Sequence, residues 1–142
     1  MIRTWMLDTN TVSYIVRGES PAARDRLDGL KINEVACISV ITEAEIHYGL
    51  ARKPPSLALR TVLNDFLRKI RILPWGSDEA QAYGTLRFKL ERAGKSLSAL
   101  DMLIAAHAIS TNATLVTGDK AFAQVEDLRP PVNWAVDLKA TP

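Results

Sequence analysis

Cysteine occurs once in this chain, as Cys37 inside an apolar run, so no disulfide framework can hold it together. A reducing, cytoplasmic compartment is the simplest expectation. Histidine is nearly as scarce. His47 and His107 are the only two, and neither stands in a spacing that builds a zinc site. His107, inside an apolar stretch, reads as a packed, hydrogen-bonded core histidine, and His47 as a surface one. Cys37 has no basic partner nearby in sequence to activate it, so it reads as core rather than as a nucleophile. No glycine-rich phosphate loop is present, which excludes P-loop nucleotide hydrolysis. No apolar run approaches the roughly 20 residues of a membrane span. The start, Met1-Ile2-Arg3-Thr4-Trp5, lacks the apolar core of a signal peptide. The net charge is only +2, too small to imply a polyanionic partner by itself. Internal repeats and low-complexity segments are also missing.

What is present is a chain of 142 residues with 47% hydrophobic residues, enough for one core. Residues 1–142 read as a single domain. Short apolar, β-rich runs alternate with amphipathic stretches. Trp5-Met6-Leu7 predicts a first buried strand, Val35–Ser39 a second, Ile70–Pro74 a short third and Thr114–Thr117 a fourth. Val132–Val136, after Pro130-Pro131, predicts a final edge strand. Between them lie helical patterns after Asn10, after Ser20-Pro21, over Val40–Ala51, after Ser56, after Gly76 and over Ala99–Ile109. Strands alternating with helices imply βαβ crossovers. The expected architecture is a three-layer α/β/α sandwich around a central, mainly parallel sheet of 4–5 strands.

The carboxylates then stand out. Asp8 follows the first strand directly, Glu45 lies in the helix after the second, Asp101 begins an almost wholly apolar helix, and Asp119 follows the fourth strand. Each has an ordinary explanation. Asp8 suits a helix cap, Glu45 could close a capping box with Thr42, Asp101 another with Ser98, and Asp119 a turn after Gly118. Yet all four fall at the same predicted sheet edge, where open α/β sheets bind ligands. Carboxylates gathered there repel one another unless a cation sits among them. Oxygen donors without His or Cys suit Mg²⁺ or Mn²⁺, which polarise phosphate and activate water. Thr9, Asn10 and Thr117 stand beside these acids as candidates for orienting them.

Four pieces of the chain, in order, carry a resemblance. They are Met6–Asn10, Ile38–Gly49, Leu100–Ala108 and Leu115–Phe122. Together the chain resembles the PIN-domain nucleases, and within them the VapC-type ribonuclease toxins of toxin–antitoxin pairs. The resemblance implies that Asp8, Glu45, Asp101 and Asp119 form the metal-binding, catalytic set, the Thr-x-x-Glu spacing selecting Glu45 over Glu43. It implies Mg²⁺- or Mn²⁺-dependent cleavage of RNA, tRNA or another structured RNA. It also implies a homodimer and a cognate VapB-type antitoxin that inserts a segment into the acidic groove. Arg87, Lys89, Arg92 and Lys95, just before the Asp101 helix, are candidate RNA contacts, and Arg52-Lys53 follow the Glu45 helix. Two rivals belong to other classes. One is a catalytically silent PIN-like module that binds RNA or protein, against which the four intact acids argue. The other is a phosphoacceptor receiver domain, which wants adjacent paired acids after its first strand where this chain has Asp8-Thr9-Asn10.

Overall fold

A computed structural model describes residues 1–138. In chain order it contains β1 (Arg3–Leu7), α1 (Thr9–Val16), α2 (Pro21–Asp28), β2 (Glu34–Ser39), α3 (Val40–Arg52), α4 (Leu57–Lys69), β3 (Arg71–Leu73), α5 (Ser77–Arg92), α6 (Ala99–Thr111) and β4 (Thr114–Val116). A 3₁₀ turn over Lys120–Gln124 follows. The four strands form one sheet in the order β3-β2-β1-β4, and every pairing is parallel. The expected sandwich is therefore present, at the lower end of the expected strand number.

The sequence explains the layers. Successive strand residues face opposite sides of a sheet, and here both sides are apolar. Met6, Cys37 and Leu115 pack into one core with Leu86, Leu90, Ile104, Ala105 and Phe122. Trp5, Leu7, Ile38 and Val116 pack into the other with Val12, Ile15, Phe66 and Ile70. A strand buried on both faces needs helices on both faces, which the crossovers supply. Small residues at Ala105, Ala106 and Ala108 are fully buried and let α6 lie close between the sheet and α5. Side-chain caps end the helices where the sequence suggests. Ser20 accepts from the Ala23 N–H, Ser56 from that of Leu59 and Ser98 from that of Asp101. Gly18, at φ +70°, takes the left-handed conformation that closes α1.

Three expectations change. The final edge strand is reduced to one parallel bridge, Val116–Val132. Asn133 Oδ1 accepts the Ala135 N–H, so the chain turns instead of extending, and Trp134 stacks at 5.8 Å on Trp5. The Thr42–Glu45 capping box does not form. Helix α3 begins at Val40 with Ser39, three residues before Thr42, as its cap, and Thr42 is left buried with an unpartnered hydroxyl. The spacing of α5 predicts an apolar side of Ala80, Tyr83, Leu86 and Leu90, with Phe88 as a further candidate; Phe88 is instead exposed, since it lies about 200° around the helix from Leu86 and Leu90.

The amino edge of the sheet is tied by Glu34. Its carboxylate accepts the Lys31 N–H at 3.1 Å, Arg26 at 3.0 Å and the Trp5 indole N–H at 2.7 Å. The Lys31 N–H first, then Arg26 and Trp5, hold this carboxyl at about 2, below an ordinary 4.5. A carboxyl lowered in the folded state stabilises it above the ordinary value and ceases to as pH falls towards 2. In urea melts between pH 5 and pH 2, the wild type should lose more stability than Glu34→Gln, and equal losses would remove Glu34 as an acid-sensitive clasp.

Candidate active site

Asp8 is the residue around which the carboxyl edge is built. Strand register puts Leu7 opposite Val116 and Met6 opposite Cys37, so Asp8 emerges level with Thr117 and Ser39. Its N–H donates to the Val116 carbonyl at 3.0 Å. Its Oδ1 accepts the Thr11 N–H at 2.8 Å, capping α1. The cap inferred from sequence is thus real, but it uses only one oxygen of a side chain left 7% exposed. Burial pushes this carboxyl above its ordinary value, bonds from Thr117 and Thr11 pull it back, and the Asp101 charge pushes it up again. The last effect places the Asp101 charge within electrostatic range of Asp8, 93 residues away in sequence.

The other acids are delivered by different devices. Asp101 sits half-buried in the first turn of α6, its N–H bonded to Ser98 Oγ at 3.2 Å. Glu45 projects from the second turn of α3, where its Oε1 accepts the Thr9 hydroxyl at 2.9 Å. Thr9 follows Asp8 directly, so this bond links Glu45 to the turn that carries Asp8. Asp119 is exposed and caps the 3₁₀ turn, its Oδ1 accepting the Ala121 N–H at 2.9 Å. Buried Thr117 joins the two ends, since its Oγ1 accepts the Asp119 N–H at 2.9 Å while its side chain also bonds towards Asp8.

Of the residues singled out in the sequence, Asp8 and Thr117 come together, with the Asp101 charge in electrostatic range. Glu45 is tethered to them through Thr9. Asp119 lies at the rim. Asn10 is exposed and makes no side-chain hydrogen bond among the described residues. Arg87 pairs with Glu91 at 3.2 Å and Lys89 with Asp127 at 2.7 Å. Arg92 lies over the Phe88 ring, and Lys95 reaches the Gln124 carbonyl at 3.5 Å. Cys37 is buried, its thiol pushed up to about 12 by desolvation, which confirms a core role. Sequence reasoning passed over Thr11, whose hydroxyl also donates to Val116 at 3.2 Å. The Asp8-x-x-Thr11 spacing, an N-cap and the residue whose N–H donates to it, was the signal for it.

Among the described residues no three acidic, His or Cys side chains gather closely enough to hold a metal ion by themselves. The pair still fits a hard divalent cation. Mg²⁺ keeps several waters and is commonly held by one or two carboxylates together with substrate phosphate. A cation between Asp8 and Asp101 would relieve the repulsion that raises the Asp8 carboxyl.

The PIN-domain family profile matches residues 5–128, from β1 to beyond the 3₁₀ turn. The chain belongs to the PIN-domain family, among the VapC ribonucleases. Ribonuclease VapC2 of Rickettsia felis is 34% identical over 125 residues, covering 87% of this chain and 93% of the relative. The tRNA(fMet)-specific endonuclease VapC of Shigella flexneri is 29% identical, covering 88% and 94%. The crystal structure of VapBC2 from Rickettsia felis, bound to a DNA fragment from its promoter, superposes with a TM-score of 0.81 at 33% identity, covering 88% of this chain and 95% of that one. In this PIN domain the acids at the strand ends are therefore set in a nuclease fold. Among the described residues no helix is long and apolar enough to cross a membrane.

Proposed function

We propose that this PIN domain is a Mg²⁺- or Mn²⁺-dependent endoribonuclease, the toxin of a type II toxin–antitoxin pair. It acts as a homodimer and is held in check by a VapB-type antitoxin. The observation that carries the reading is the buried Asp8 at the carboxyl edge of a parallel sheet, within reach of the Asp101 charge. Asp8 and Asp101 would hold the divalent ion, which when bound would supply positive charge against both carboxylates and the phosphodiester. Thr11 and Thr117 keep Asp8 in one orientation. Thr9 occupies one oxygen of Glu45 and leaves the other to take a proton from the attacking water. Asp119 approaches from the rim of the same edge, where Thr117 holds its backbone. Arg92 and Lys95 make no ion pair among the described residues and suit flanking phosphates better than Arg87 and Lys89, whose charges are already paired.

The relative from Shigella flexneri is a tRNA-specific endonuclease, so tRNA is the first substrate to try. Purified protein should cleave it with Mg²⁺ or Mn²⁺ and stop when EDTA is added. Asp101→Asn should remove activity while leaving the circular dichroism spectrum unchanged. Cleavage that persists in EDTA would rule out the metal-dependent reading. Failure to bind millimolar Mn²⁺ in a calorimetric titration would favour a silent binding module.

A further inference from the structure

His107 lies in the middle of α6, fully buried, with its Nδ1 2.7 Å from Ser39 Oγ. Ser39 is itself fully buried and caps α3, its Oγ accepting the Ile41 N–H at 3.0 Å. The hydroxyl proton is then available to the imidazole Nδ1, and the other ring nitrogen, Nε2, is buried without a hydrogen-bond partner. Burial lowers the basicity of His107 and favours the neutral ring that this arrangement requires. Among the described residues this is the single side-chain hydrogen bond between α6 and the start of α3. Thr42, in the first turn of α3, is buried with its hydroxyl unpartnered and supplies no second tie.

Both acids lie towards the carboxyl edge from this bond. Helix α3 starts at that edge after Ser39, and Glu45 stays there, bonded to Thr9, whereas α6 ends just before the amino end of β4, so that its first turn, with Asp101, lies towards the carboxyl edge. Glu45 lies six residues after Ser39, and Asp101 six residues before His107. At 1.5 Å per residue both acids stand about 9 Å along their helix axes from the cross-link, on the same side of it. The bond is the shared base of two arms that end in carboxylates.

We propose that the Ser39–His107 hydrogen bond is a positioning brace that sets the separation of Glu45 and Asp101, and so the geometry of RNA cleavage. The proposal rests on the site assigned above. His107 touches neither substrate nor acids and acts through Ser39. A small change at the base is carried to both arms, and misplacement of about 1 Å costs roughly 10²-fold in rate.

The test combines kinetics with crystal structures of the variants. In His107→Ala and in Ser39→Ala, kcat for tRNA cleavage with Mn²⁺ should fall roughly 10²-fold, with KM changed by less than about threefold. The double variant should be no slower than either single one, because the two residues act as a unit. His107→Asn, whose Oδ1 can accept the Ser39 hydroxyl, should recover kcat to within about fivefold of wild type. The crystallographic Glu45–Asp101 separation should shift in both alanine variants and return in His107→Asn. Should His107→Ala fail to fold, Ser39→Ala, which deletes only a hydroxyl, answers the same question. The brace is overturned if folded alanine variants keep both the separation and kcat, or if His107→Asn restores thermal stability but not kcat. Asp8→Asn, run alongside, separates the two ideas. If it cleaves like wild type, the assigned site is wrong, and the carboxylate separations still decide the brace.

Discussion

Asp8→Asn should abolish RNA cleavage and at the same time raise the thermal stability of the metal-free protein. The catalytic loss follows from charge. The amide keeps the shape of the carboxylate but removes one of the two negative charges that would hold a divalent ion under the proposed function, and several kcal/mol of charge stabilisation would go with it. A loss on the order of 10³-fold in kcat/KM is expected. The stability gain follows from burial. Asp8 is 7% exposed, and desolvation together with Asp101 disfavours its ionised form. A carboxyl whose folded value lies above its ordinary 3.8 weakens the folded state as pH rises past that value. Asparagine escapes the penalty while its Oδ1 still accepts the Thr11 N–H. The Tm advantage of the variant in EDTA should therefore be small near pH 3.5 and grow towards neutrality. Mg²⁺ should raise the Tm of wild type and leave the variant unmoved, because only a ligand that binds the folded state stabilises it. A variant that melts below wild type in EDTA at pH 7 would show that Asp8 is retained for structure rather than for its charge.

Phe122→Ala should be the costliest single truncation near the site. Phe122 is the largest fully buried side chain, placed in the 3₁₀ turn directly after Asp119 and packed with Leu86, Leu90 and Leu115. Emptying such a position costs about 3–5 kcal/mol, through lost transfer energy and the cavity left behind. For a chain of this size that lowers Tm by roughly 10 °C or more. The turn is otherwise held by the cap from Asp119 to the Ala121 N–H and by the bond from the Asp119 N–H to Thr117. Asp119→Asn keeps the cap geometry and should leave Tm within about 2 °C of wild type. The pair separates anchoring of the turn from the chemistry of its carboxylate. A Phe122→Ala protein as stable as wild type in chemical denaturation would mean that the core closes over the gap.

The elements at the carboxyl edge show why some of this site was readable and some was not. Asp8, Ser98 and Asp119 sit at strand or helix ends marked by residue type alone, because caps and turns are local chemistry. The ends of β1, β2 and β4 were readable because both faces of the sheet are buried, so apolar runs stop sharply at the first polar residue. The Thr42–Glu45 box failed for the same local reason. Ser39 is also a good cap and stands three residues before Thr42, so the helix starts there. Glu45 found its partner in Thr9 instead, 36 residues away, a choice no local pattern encodes. The last strand failed because Val132–Val136 has the right composition but carries Asn133, whose side chain satisfies the backbone and turns it.

Composition and order by themselves determined that this is a disulfide-free, three-layer α/β protein with its acids at one end of a parallel sheet. Periodicity, caps and chain direction are properties of neighbouring residues, and they survive without any knowledge of long-range contacts. Only the tertiary structure decided which acids meet. It brought Asp8 within reach of the Asp101 charge, tethered Glu45 through Thr9, left Asp119 at the rim, and gave the core histidine His107 its partner in Ser39. Those outcomes depend on strand register and helix packing, where a shift of one residue reassigns every partner while leaving the local pattern untouched.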